Sequence, residues 1–137
     1  MIRLHYFLPA LLIATSVSAQ TAPRPAQLAA ARTVFISNAM NTDSSVKANF
    51  YESFYADVQA LNRFSIVASP AQADLVLELG IGTGFVLRIL DPKSTVVLWS
   101  TSEPIEGANR TATLFKNQHT ALLNLAGDVK QVCLPTP

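Results

Sequence analysis

The sequence predicts an α/β fold of the α+β kind: a two-layer sandwich whose five-stranded mixed sheet carries two helices on one face, in the order β-α-β-β-β-β-α. Three observations predict it. Apolar residues recur at helical spacing in two stretches, 46–61 and 111–132. Five shorter runs are β-branched, aromatic or strictly alternating, as strands are. Two helices can cover one face of five strands, and the last three strands follow one another too closely to be anything but an antiparallel meander.

The chain begins with a basic residue, Arg3, then a short apolar run from Tyr6 to Ala14 and the small-residue site Ser16-Val17-Ser18-Ala19. This pattern is that of a secretory signal peptide over residues 1–19. Its apolar run is shorter than the ~20 residues a bilayer span needs, and no cysteine follows it to take a lipid. The expected mature protein is therefore periplasmic or secreted, without stable membrane insertion. Residues 20–32, rich in Pro and Ala, read as a flexible leader, and residues 33–133 as one domain.

Thr33-Val34-Phe35-Ile36 is a buried strand closed by Ser37-Asn38. Asn41 to Ser45 supply turn and cap residues. Val46, Phe50, Phe54, Val58 and Leu61 then form the apolar stripe of a helix, with Tyr51 and Tyr55 beside it. Phe64 to Ala68 is a second strand, stopped by Ser69-Pro70. Asp74 to Ile81 alternates, with Leu75, Leu77, Leu79 and Ile81 on one face and Val76 and Glu78 on the other. Phe85 to Leu90 and Thr95 to Thr101 continue as strands around the turn Asp91-Pro92-Lys93-Ser94. Glu103 to Arg110 reads as a loop, and Phe115, Leu122, Ala126 and Val129 mark the last helix, with Gly127 inside it.

Composition limits the function. Removing Arg3 with the expected signal peptide leaves nine basic residues against nine acidic ones, scattered along the chain. A nucleic-acid partner, which requires a basic face, is not expected. Cys133 is the single cysteine and His119 the single histidine after the leader, so neither a zinc site nor a nucleophile–histidine device is supported, and no cofactor is expected. Cys133 reads as a buried thiol, with pairing to another chain as the alternative.

Asp74-Leu-Val-Leu-Glu78-Leu-Gly80-Ile-Gly82-Thr-Gly84 resembles the first motif of class I methyltransferases, where an acidic strand end precedes a glycine loop for S-adenosylmethionine. That reading makes the chain a small ligand-binding protein or enzyme using the Gly80–Gly84 loop. Against it, Phe85 to Leu90 is too short and too β-prone to be the helix such a loop opens, and 53 residues after Gly84 cannot supply a doubly wound sheet. The reading preferred is a hairpin. A loop centred on Thr83 sets Leu77 opposite Ile89, Leu79 opposite Leu87 and Glu78 opposite Arg88, matching character at every pair. A four-residue turn at Asp91–Ser94 then sets Leu87 opposite Leu98, Ile89 opposite Val96 and Val86 opposite Trp99.

Strand Thr33-Val-Phe-Ile, Arg63-Phe-Ser-Ile-Val with Ser69-Pro70, Ala73-Asp-Leu-Val-Leu-Glu-Leu, and Leu90-Asp-Pro-Lys with Val97-Leu-Trp99 together resemble a group of small secreted bacterial proteins of unknown function. Their layout is similar to the amino-terminal domain of TolB and to the CsgG and LpoB type of periplasmic domain. The resemblance spans residues 33–132 and implies an adaptor in an envelope assembly. The function expected is thus a non-enzymatic binding or adaptor domain whose partner is a protein or cell-envelope component.

The predicted register leaves Val76, Glu78, Val86, Arg88, Leu90, Val97 and Trp99 on the uncovered face. From these, Trp99, Val86, Arg88, Val97, Val76 and Glu78 are the candidate interface, with Trp99 as anchor; alternatively the leader or the 103–110 loop folds over Trp99. Glu78 and Arg88 read as a cross-strand ion pair. Glu103 and Glu106 read as solvated loop charges, His119 as a boundary residue, and Tyr51 and Tyr55 as sealing the core edge.

Overall fold

The computed structural model describes residues 24–40, 45–107 and 110–135. The expected signal peptide with its cleavage site, the start of the expected leader at 20–23 and the expected turn residues 41–44 lie outside these.

Among the described residues eight main elements follow in order: α1 (Ala26–Ala30), β1 (Thr33–Asn38), α2 (Ser45–Ala60), β2 (Ser65–Ile66), β3 (Leu75–Ile81), β4 (Gly84–Leu90), β5 (Val97–Pro104) and α3 (Thr111–Val132), with a 3-10 turn at Pro70–Gln72. The five strands form one sheet in the order β2-β1-β3-β4-β5. β1 runs parallel to β2 and to β3, whereas β3, β4 and β5 are antiparallel neighbours, so the sheet is mixed as the sequence predicts.

Alternation decides the two faces. Val34 and Ile36 of β1, Leu75, Leu77 and Leu79 of β3, and Phe85, Leu87 and Ile89 of β4 are all buried, and the helices cover this side with Phe54 and Val58 of α2 and with Leu122, Leu125, Ala126 and Val129 of α3. Phe50 of α2 meets Phe85 edge-on, with ring centroids 5.1 Å apart. Tyr51 and Tyr55 do seal the margin of the core, and the Tyr51 hydroxyl donates to the Ile36 carbonyl at 3.0 Å. Burial pushes the Tyr51 phenol above its usual pKa. Burying so many aliphatic and aromatic side chains, each worth ~1.5–3 kcal/mol, is what holds the layers together.

The leader reading needs correction from Arg24 onward. α1 places Leu28 fully inside the core, with Ala31 beside it. Arg24 Nη1 donates to the Gln131 carbonyl (3.2 Å), and Gln27 Nε2 to the Asp74 carbonyl and to Asp91 Oδ1 (both 3.2 Å). The Arg63 guanidinium donates to the carbonyls of Ala29 and Cys133, tying α1 to the end of α3. A five-residue helix has too little periodic pattern to stand out in sequence, and Leu28 is its one large apolar residue. Cys133 is buried, as expected.

The stripe of α3 also differs. Its buried residues run from Ala121 to Val132, whereas Phe115 is 54% exposed. The first turns of α3 therefore extend past the covered part of the sheet, so helical spacing there does not mean burial.

Candidate functional site: the open face of the sheet

The β3–β4 hairpin has the predicted register: Leu77 lies opposite Ile89, Glu78 opposite Arg88 and Leu79 opposite Leu87. The glycines serve this hairpin. Gly82 N–H donates to the Gly84 carbonyl at 2.8 Å, and Gly84 opens strand β4, not a helix. A Cβ at Gly84 would strike the Glu103 carbonyl oxygen and come within 2.9 Å of Pro104 Cα, so this position is glycine because β5 passes too close for a side chain.

The β4–β5 register departs from the prediction. Asp91 accepts from the Lys93 and Ser94 amides (3.3 Å each) and from the Ser94 hydroxyl (2.6 Å), and this folds the turn further than four residues. Thr95 is drawn into it at φ 58°, and Asp91 N–H closes on the Val96 carbonyl at 3.0 Å. Leu90 then meets Val97, a bulge follows, and Ile89 meets Trp99 rather than Val96. An odd displacement exchanges the two faces. Trp99 therefore shares the helix-covered side with Ile89 and is partly buried against the core; Leu98, at the bulge, packs against the core as well, whereas Val96 is 58% exposed. Trp99 leaves the candidate interface.

The other five candidates, Val76, Glu78, Val86, Arg88 and Val97, do stay together. Register across four strands arranges the open face in rows. Phe35, Val76, Leu90 and Val97 form an apolar row; Ser37, Glu78, Arg88 and Ser100 form a polar one; Gly80, Val86 and Ser102 form the third. At the centre of the polar row Arg88 Nη2 lies 2.9 Å from Glu78 Oε1, with side chains 49% and 24% exposed. Phe35 and Ser37 were not legible as members, because their place depends on β1 lying beside β3. Their alternation with buried Val34 and Ile36 was the available signal.

Two polar clusters elsewhere have structural roles. A recess of about 370 Å³ at the end of the sheet includes Gln27, Asp74, Asp91 and Lys93. Asp74 Oδ2 accepts from the amides of Arg32 (2.8 Å) and Thr33 (2.9 Å), which holds its carboxyl below the usual range. Asp91 is lowered to about 2, first by the Ser94 hydroxyl and then by Gln27. Both acids are engaged in fixing backbone rather than turned to a ligand. Between α2 and α3, Ser53 Oγ lies 3.1 Å from His119 Nδ1. Nearby Asp57 has its carboxyl raised by burial, opposed by His119, and its Oδ2 is buried without a hydrogen bond. This joins two helices and was missed in sequence, where Ser53, Asp57 and His119 are widely separated.

Glu103 is not a loop charge: β5 extends through it, and its Oε2 accepts from Asn124 Nδ2 at 3.3 Å. Burial, with Glu103 adding to it, raises the carboxyl of Asp128. Among the described residues no three His, Cys, Asp or Glu side chains are placed to hold a metal ion, and no helix is long and apolar enough to cross a membrane.

No protein-family model and no curated protein sequence matches the chain. Among solved structures, a PelC dodecamer from Paraburkholderia phytofirmans superimposes with a TM-score of 0.52 at 13% identity, covering 72% of this chain and 87% of that one. A second PelC dodecamer from that organism gives 0.44 at 12% identity, over 68% and 83% of the two chains. A Helicobacter pylori protein named as a neuraminyllactose-binding hemagglutinin homolog gives 0.48 at 11% identity, over 73% and 84%. The first of these shows a shared α/β fold. The other two, below 0.5, add nothing to it.

Proposed function

We propose that this protein is a non-enzymatic binding or adaptor domain, exported by its first nineteen residues, that docks a protein or cell-envelope component through the open face of its sheet. The row Phe35, Val76, Leu90 and Val97 carries this reading. Four apolar side chains side by side on a face that no helix among the described residues covers form a contiguous patch of the kind that marks interaction sites. The ion pair beside it supplies orientation more than affinity.

Two resemblances support the reading. The layout similar to the TolB amino-terminal, CsgG and LpoB domains implies an adaptor, and PelC, which shares the fold, is a dodecamer. The competing ligand-binding reading loses its most specific support, since the Gly80–Gly84 loop closes a hairpin.

The test is recovery of partners from the native envelope with the exported protein as bait, comparing wild type with Val86→Asp. A buried charge at an interface costs several kcal/mol, so recovery falls about tenfold or more if the open face docks the partner. Equal recovery with a folded variant, or saturable binding of S-adenosylmethionine, would contradict it.

A further inference from the structure

The geometry points to a second copy of this chain as an occupant of the open face, packed face to face about a two-fold axis that runs along the strands between β3 and β4. This rests on the open face being the binding surface and names what binds there.

Such an axis maps every row onto itself and exchanges β3 with β4 and β1 with β5. Val76 then lies over Leu90 of the second copy, Phe35 over its Val97, and Ser37 over its Ser100. Glu78 lies over Arg88 of the second copy, and Arg88 over its Glu78. Apolar meets apolar, hydroxyl meets hydroxyl, and each charge meets its opposite. The partner charges have capacity to spare: the ion pair engages one Arg88 nitrogen and Glu78 Oε1. A guanidinium has five N–H donors and a carboxylate two oxygens, so each group can serve both its own strand neighbour and the second copy. An unrelated partner would have to carry a carboxylate and a cation at this same spacing with an apolar row beside them. A second copy carries them by construction.

Aligned sheets pack about 10 Å apart with their strands rotated by roughly 30°, so the match is closest near the axis. Val76, Leu90, Glu78 and Arg88 sit there. Four strands by six residues make a face of roughly 20 by 20 Å. That is about half the ~800 Å² per partner of a standard interface, so the association is reversible and weak.

Sedimentation of the protein, expressed as the full chain and recovered from its native host, tests this from about 1 µM to about 500 µM. Wild type is expected to shift from monomer to dimer over that range. Glu78→Arg and Arg88→Glu should each weaken dimerisation at least about tenfold, because like charges then face each other. An equimolar mixture of the two variants should recover dimers that neither forms alone, and so should the double variant. If the charge reversals prevent folding, Ser100→Lys, which leaves the ion pair intact, must weaken dimerisation instead. A wild type monomeric throughout overturns the proposal, as does a dimer indifferent to these substitutions or a mixture without recovery. Envelope partners still lost with Val86→Asp in that case would leave the open face as the binding surface and exclude only the second copy.

Discussion

Trp99 stands directly opposite Ile89 across the β4–β5 ladder, on the side that the helices cover. The one tryptophan of the chain is thus part of the packing and not of the open face. Trp99→Ala should cost about 2 kcal/mol of stability, somewhat less than the ~3–5 kcal/mol of a wholly buried tryptophan. Denaturant titration reads this directly. A loss below about 0.5 kcal/mol, typical of surface positions, would put Trp99 back on the open face.

Two glycines should respond in opposite directions. Gly84→Ala places a methyl on the backbone of β5 at Glu103 and Pro104, and should destabilise by about 1–3 kcal/mol. Gly127 lies inside α3, where a methyl group would enter open space. Gly127→Ala should therefore stabilise by about 1 kcal/mol through helix propensity. Thermal or denaturant unfolding of both variants checks the pair, and a tolerated Gly84→Ala would contradict the close approach of β5.

Acid should loosen the sheet end. Asp91 has its folded pKa depressed to about 2, and Asp74 is also lowered. An unfolded aspartate titrates near 3.9. Both groups therefore stabilise the fold above about pH 4 and lose that contribution as pH falls through their depressed pKa values, which for Asp91 is toward about 2. Asp91→Ala should lower the denaturation midpoint at neutral pH and flatten its decline between those limits. An unchanged decline would mean that the turn does not hold the carboxylate in solution.

Cys133 is wholly buried, and burial raises its thiol to about 11 against the opposing pull of Arg63 and Arg24. A buried neutral thiol reacts only when the structure opens, so modification at pH 8 should be at least about a hundredfold slower in the native protein than in denaturant. Equal rates would show that the end of α3 does not cover it.

What the sequence made legible follows from what is local. Strict alternation in Leu75–Ile81 and the matched pairs around Thr83 specify the β3–β4 register, because a one-residue slip would expose the whole buried set. The 22 residues of α3 are legible from spacing and length. The β4–β5 register was not, because it depends on how Asp91 gathers Lys93 and Ser94 and on Thr95 taking a positive φ that β-branched residues rarely adopt. That one turn moved Trp99 to the other face. α1 was missed because a single buried leucine gives no period, and Phe35 and Ser37 because β1 pairs with β3 across forty residues of sequence. Of the candidate interface, the central ion pair and Val76, Val86 and Val97 were readable from the hairpin and the outward residues of the strands.

The central claim is that the open sheet face is where this protein binds. A photo-activated cross-linking residue at position 86, on that face, and another in place of exposed Glu52, on α2, would be compared in the native host. The account predicts specific adducts from position 86, to an envelope component or to a second copy, and none from position 52. Adducts from position 52 with none from position 86 would contradict it and move the binding surface to the helices.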